Sequence, residues 1–216
     1  MSSSLAIDPS AVVWSVAEAE RAEALASRPL LVLLHGRGSH ENDLFALAPL
    51  LPPRAVIASV RAPLALGDGF TWFPVGEPGL PSLVAADAAV SALLEWLDTV
   101  LATGPVGVLG FSQGGAMALH LARHAPERFA ASVNLAGFVV QGEAPADERL
   151  QALRPPVFWG RDAADPVIPQ SAVERTAAWL PAHSTLTTRV YSGIGHSISR
   201  EELDDVNEFL AANLML

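Results

Sequence analysis

The chain has 216 residues, half of them hydrophobic and 17% charged, which is enough for one well-buried domain and short for two. It has no cysteine and its 13 basic residues are all arginine, so disulfides, a thiolate nucleophile, cysteine-ligated metals, lysine Schiff bases and a Ser-Lys dyad are excluded. A formal net charge of −10 argues against nucleic acid and anionic membranes as partners, because both draw affinity from clustered positive charge.

Residues 1–15, MSSSLAIDPSAVVWS, carry neither a basic n-region nor a sustained apolar h-region. No later stretch approaches the roughly 18 apolar residues of a membrane span, so a cytoplasmic protein without one is expected. Residues 12–16 read as a short edge strand and 17–27, rich in alanine and glutamate, as a helical turn or polar connection. The leucine and valine run at 29–34 predicts a central strand buried on both faces, ending in His35-Gly36-Arg37-Gly38-Ser39. A glycine pair just past such a strand can turn main-chain N–H groups into a crevice, as an oxyanion hole requires.

A helix is expected over 42–51 with Asn42 as its cap, stopped by Pro52-Pro53, and a second buried strand over 55–60. Residues 61–81 repeat proline and glycine around Leu64, Leu66, Phe70, Trp72 and Phe73 and read as a long loop, either a substrate wall or a satellite of the core. The clearest helix is 82–101, with Leu83, Ala86, Val90, Leu93, Leu94, Leu97 and Leu101 at helical spacing behind Ser82. A strand at 106–109 then runs into Gly110-Phe111-Ser112-Gln113-Gly114, a G-x-S-x-G match, and a helix to about His124. Further strands are expected at 129–135, 157–160 and 186–191, helices at 170–180 and 200–214, and a polar connection at 138–155. Strands alternating with helices imply a mostly parallel sheet, whose ligands sit beyond the carboxyl ends of its strands.

A serine hydroxyl needs a base, and the base needs a group to orient it. Of six histidines, His120 and His124 fall inside the helix after the elbow, while His40 and His183 lie in polar surroundings. His196 sits in a glycine-rich loop after the last strand and can face the elbow; His35 competes, though its place suits a structural hydrogen bond better. For the acid, the loop after the strand at 157–160 offers both Asp162 and Asp165; Pro166 biases Asp165 toward an extended conformation.

The set LLHGRGS at 33–39, RAP and TWF between 61 and 73, GFSQGG at 110–115, GRDAADPVIP at 160–169 and GHSIS at 195–199 resembles the phospholipase/carboxylesterase family of α/β-hydrolases, which includes acyl-protein thioesterases and small bacterial carboxylesterases. The resemblance spans nearly the whole chain. It implies a single α/β-hydrolase domain over 1–216, with a mostly parallel central sheet, helices on both faces and no large lid domain. It further implies Ser112 as nucleophile, Asp165 as acid, His196 as base, and the main-chain N–H groups of Arg37 and Gln113 as oxyanion hole, with no metal and no organic cofactor. Arg37 departs from the apolar residue common in the thioesterase branch.

The expected reaction is hydrolysis of small-molecule carboxylic esters with short to medium acyl chains, thioesters being the second substrate class, through an acyl-enzyme. Leu66, Phe70, Trp72 and Phe73 are the candidate acyl contacts. An acyl-protein thioesterase or lysophospholipase, an acyltransferase on the same site, and a non-catalytic binding protein are the other readings, and a homodimer is compatible with the sequence.

Overall fold

The computed structural model describes residues 5–74 and 76–214; residues 1–4 of the N-terminal stretch, Val75 of the 61–81 segment and residues 215–216 lie outside the described residues. The centre of the molecule is the strand β2 (Leu30–Leu34), every residue of which is buried. Strand side chains alternate between faces, so Leu30, Val32 and Leu34 enter one core cluster while Leu31 and Leu33 enter another. A run of five apolar residues without alternation is what a strand covered on both sides demands.

Around it lie β1 (Val13–Trp14), β3 (Val56–Val60), β6 (Val106–Phe111), β7 (Ala131–Leu135), β8 (Pro156–Asp162) and β9 (Thr185–Tyr191) in the order β1-β3-β2-β6-β7-β8-β9. All neighbours are parallel except β1, which runs antiparallel to β3 at one edge. One face is covered by α1 (Glu18–Ser27), α3 (Leu83–Thr99), α4 (Gln113–His124) and α6 (Gln170–His183), the other by α2 (Glu41–Phe45) and α7 (Arg200–Asn213). The expected sheet with helices on both faces is therefore present. Among the described residues no helix is long and apolar enough to cross a membrane.

Three segments depart from the sequence expectation. The helix expected over 42–51 ends at Phe45, continues as a 3-10 turn at Ala48–Leu50, and is capped by His40, whose Nδ1 accepts from the Asn42 N–H at 3.2 Å, rather than by Asn42. Within the 61–81 loop the strands β4 (Leu64–Leu66) and β5 (Gly69–Thr71) form an antiparallel hairpin. The polar connection at 138–155 contains a short helix, α5 (Asp147–Leu153), tied to α4 by Arg123, which donates to both Asp147 oxygens and to the carbonyls of Val140 and Gly142.

Candidate active site

Ser112 sits between β6 and α4 with φ 56° and ψ −115°, a left-handed backbone that a non-glycine residue adopts only under constraint. Its N–H donates to the Leu135 carbonyl at 2.8 Å and its carbonyl accepts from the Ala116 N–H at 3.0 Å, so the turn is held from the neighbouring strand and from the helix. The turn is also too tight for side chains. A Cβ on Gly110 would overlap the Gly114 carbonyl, and one on Gly114 would overlap the Leu34 carbonyl of β2.

The hydroxyl of Ser112 lies 2.8 Å from His196 Nε2, and His196 Nδ1 lies 2.7 Å from Asp165 Oδ2. An ionised carboxylate only accepts, so Nδ1 carries the imidazole proton and Nε2 presents its lone pair to the serine. The other oxygen of Asp165 accepts from the main-chain N–H groups of Val167 at 2.7 Å and Ile168 at 3.2 Å, which fixes the carboxylate plane. The Phe111 ring, 4.9 Å from the imidazole centroid, closes the other side of His196.

Asp162, the alternative acid in the sequence, faces elsewhere. It is buried at the end of β8, where one oxygen accepts from Ala164 N–H at 2.6 Å and the other from Ile194 and Gly195 N–H at 2.6 and 2.9 Å. Those main-chain donors, Ala164 and Gly195 foremost, hold its carboxyl below the usual carboxylate range. Asp162 thus ties the loop that carries His196 to the loop that carries Asp165. Glycines at 193 and 195, with φ of 78° and 62°, let that loop turn sharply enough to present its N–H groups.

His35 has a structural place. Its Nδ1–H donates to the Gly36 carbonyl at 2.7 Å and its Nε2 accepts from the Ala62 N–H at 3.0 Å, while burial pushes its pKa below the ordinary imidazole value. The Gly36 carbonyl, which also accepts from the Ser39 N–H at 3.2 Å, is turned toward that ring and loop. In a trans peptide the following N–H points the opposite way, which directs the Arg37 N–H away from them. Arg37 and Gln113 both line the cavity beside Ser112, and among the described residues neither main-chain N–H has an acceptor. The Gln113 side chain, which sequence reasoning left without a role, binds the 71–73 segment: its oxygen accepts from Thr71 Oγ1 at 3.0 Å and Trp72 N–H at 2.9 Å, and its nitrogen donates to the Phe73 carbonyl at 3.1 Å.

The cavity over Ser112 measures about 440 Å³. Phe73, Phe111, Phe138 and Ile168 supply apolar walls, and Arg37, Asp43 and Glu77 bring charge to it. Of the four expected acyl contacts, Phe73 reaches the cavity; Leu66, Phe70 and Trp72 are not among its lining residues. Leu66 is half exposed at the hairpin turn. Phe70 is drawn to the Arg61 guanidinium at 4.6 Å, and its main chain pairs with Gly38 and Ser39. Trp72 is fully buried, its indole N–H donating to the His35 carbonyl at 2.8 Å. Phe70 and Trp72 thus hold the loop that carries Arg37. From the 61–81 segment the cavity is lined by Phe73, Pro74, Gly76, Glu77, Pro78, Gly79 and Pro81, a stretch anchored by Arg175, which donates to the carbonyls of Gly79 at 2.6 Å and Val139 at 3.1 Å.

Sheet order and the turn at Ser112 together make this chain an α/β-hydrolase. Within that class, residues 83–214 match the phospholipase/carboxylesterase family, and the chain belongs to it. A probable carboxylesterase of Oryza sativa subsp. japonica is 27% identical over 95% of this chain and 86% of its own length. Acyl-protein thioesterase 1 of Eremothecium gossypii is 32% identical over 77% of this chain and 73% of its own. The crystal structure of the Bacillus cereus carboxylesterase superposes with a TM-score of 0.78 at 22% identity, covering 94% of this chain and 93% of that one, and so shares the fold.

Proposed function

We propose that the chain is a serine-dependent carboxylic ester hydrolase, built as one domain, in which Ser112, His196 and Asp165 act as nucleophile, base and orienting acid. The observation that carries this reading is the unbroken hydrogen-bonded chain from Ser112 Oγ through His196 to Asp165 at the head of the cavity. Nε2 of His196 takes the hydroxyl proton as Oγ attacks the acyl carbon. The resulting oxyanion lies against the N–H groups of Arg37 and Gln113, each donor contributing about 3 kcal/mol of barrier lowering. Collapse expels the alcohol or thiol, which receives the proton from His196 and leaves an acyl-Ser112 ester. Water then enters, gives its proton to Nε2, and releases the acid and the free serine.

The cavity volume and its aromatic walls suit short to medium acyl chains on small esters, with thioesters as the second class in view of the thioesterase relative. A single set of assays checks both levels. Hydrolysis of p-nitrophenyl esters from acetyl to palmitoyl, and covalent labelling by a fluorophosphonate, should both be lost in Ser112→Ala, with kcat falling on the order of a millionfold. Ordinary turnover in that variant would refute the nucleophile, and a rate that keeps rising to palmitoyl would refute the chain-length range.

A further inference from the structure

Beyond the serine site, α3 and α4 bring together a second chemical cluster that hydrolysis does not use. His120 and His124 stand one turn apart on α4, so both imidazoles leave the same helix face. Their Nε2 atoms lie 2.8 and 3.0 Å from one oxygen, Oδ1 of Asp87 on α3, and the donor atoms of all three residues lie within 4.8 Å of one another. His120 is fully buried, the His124 side chain is 13% exposed and that of Asp87 is 37% exposed, so the cluster is closed toward the core and open on one side to water.

From this convergence we propose that Asp87, His120 and His124 form a binding site for a first-row transition-metal dication, Zn2+ in the first instance, bridging α3 and α4. Two imidazole nitrogens and one carboxylate oxygen, with water from the open side, complete the four-coordinate shell that Zn2+ favours. Donors around a tetrahedral Zn2+ stand about 3.3 Å apart at the usual bond lengths near 2.0 Å, so the ion enters when Asp87 moves outward by a few tenths of an ångström and the two imidazoles, in a cluster now spread over up to 4.8 Å, rotate toward each other. Two neutral imidazoles and one carboxylate carry a single negative charge, which suits a dication. Arg123, the residue before His124 on α4, is already paired with Asp147 and with two carbonyls.

Metal binding moves the imidazole proton of each ring from Nε2 to Nδ1. At His120 this exchanges the Nε2–H hydrogen bond to Asp87 for the bond to the ion, while Nδ1, which takes up the proton, has no partner among the described residues to give up. Nitrogen donors favour Zn2+, Co2+, Ni2+ and Cu2+ over Mg2+ and Ca2+. His120 lies eight residues along α4 from Ser112, about 12 Å of helix, so the ion is a brace between helices and takes no part in ester chemistry. Sequence spacing gives no sign of such a cluster. Asp87 and the two histidines are more than thirty positions apart in the chain, and only the packing of α3 on α4 joins them.

The test is titration of the purified, chelator-treated protein with ZnCl2 by calorimetry, repeated with CoCl2 by visible absorption, on the wild type and on His124→Gln and Asp87→Asn. One equivalent of Zn2+ is expected to bind and to raise the Tm, with Mg2+ giving no shift, and Co2+ is expected to give the intense visible bands of a four-coordinate site. Each variant should weaken Zn2+ at least about a hundredfold while its metal-free esterase activity stays at the wild-type level. No binding, binding unchanged in both variants, or loss in only one of the two would overturn the site as drawn. None of these outcomes touches the assignment of Ser112.

Discussion

At the scale of single residues, Asp162 at the end of β8 and Asp165 in the loop after it divide the work that the sequence left open between them. Asp165 reaches the imidazole, whereas both oxygens of Asp162 accept from main-chain N–H groups of two loops. Their amide variants should therefore differ in size and kind. Asp165→Asn admits the wrong imidazole tautomer and is expected to lower kcat on the order of 10,000-fold. Asp162→Asn leaves the chain of three intact but presents an NH2 where N–H donors converge, so the loop shifts and kcat falls on the order of a hundredfold at nearly constant KM. Steady-state kinetics on one soluble ester distinguish them, and equal losses would remove the distinction. Asp162 was visible in the sequence as a candidate but its task was not, because a carboxylate that caps loop N–H groups and one that orients a histidine have the same neighbours in a one-dimensional string.

At the scale of elements, the elbow is set by main chain passing main chain. Gly114 lies on the carbonyl of Leu34, and that atom belongs to the central strand and cannot swing away. Gly114→Ala should cost several kcal/mol of unfolding free energy, more than the 1–3 kcal/mol typical of an added core methyl, because no flexible side chain is there to absorb the clash. Chemical denaturation reads this directly, and a loss below 1 kcal/mol would mean the crossing is looser than described. The long helices and the buried strands were legible because their apolar periods are long and unbroken, as in α3, where Ala86, Ala89, Val90, Leu93, Trp96 and Leu97 are all buried. The hairpin β4–β5 was not, since each strand has three residues and composition alone reads as loop; its signal was Gly67-Asp68, a two-residue turn with Gly67 at φ 59°. The wall residues were misjudged for the same reason. Aromatic side chains in a loop look alike in sequence, and the hairpin decides which of them face the core, the loop that carries Arg37 or the cavity. The cap of α2 misled because histidine is an unusual acceptor at that position.

At the scale of the whole molecule, acidity and burial meet at Glu202. The side chain leaves the first turn of α7 and lies over Gly160 of β8, where no side chain competes for the space; it is 1% exposed and neither oxygen has a partner among the described residues. Burial pushes its pKa up to about 7 from an ordinary 4.5. The folded state therefore holds a proton that the unfolded state has released between those values, and stability falls as pH rises through this window, by on the order of 3 kcal/mol once the group is ionised. Below the lower value the contribution vanishes, since both states are protonated. Glu202→Gln should match the wild type in Tm near pH 4.5 and exceed it at pH 8, and an equal offset at both would show that the carboxyl is not the cause. The net charge of −10 acts in the same direction, but the variant differs from it by the one charge at Glu202, so the rest cancels in the comparison. The backbone of Ser112 carries a related cost. Glycine at that position would relax a conformation that disfavours every side chain, so Ser112→Gly should unfold about 1–2 kcal/mol later than Ser112→Ala while both are inert. Selection for heat resistance alone would thus drift toward the dead protein, and any campaign to toughen this enzyme has to score turnover in the same round.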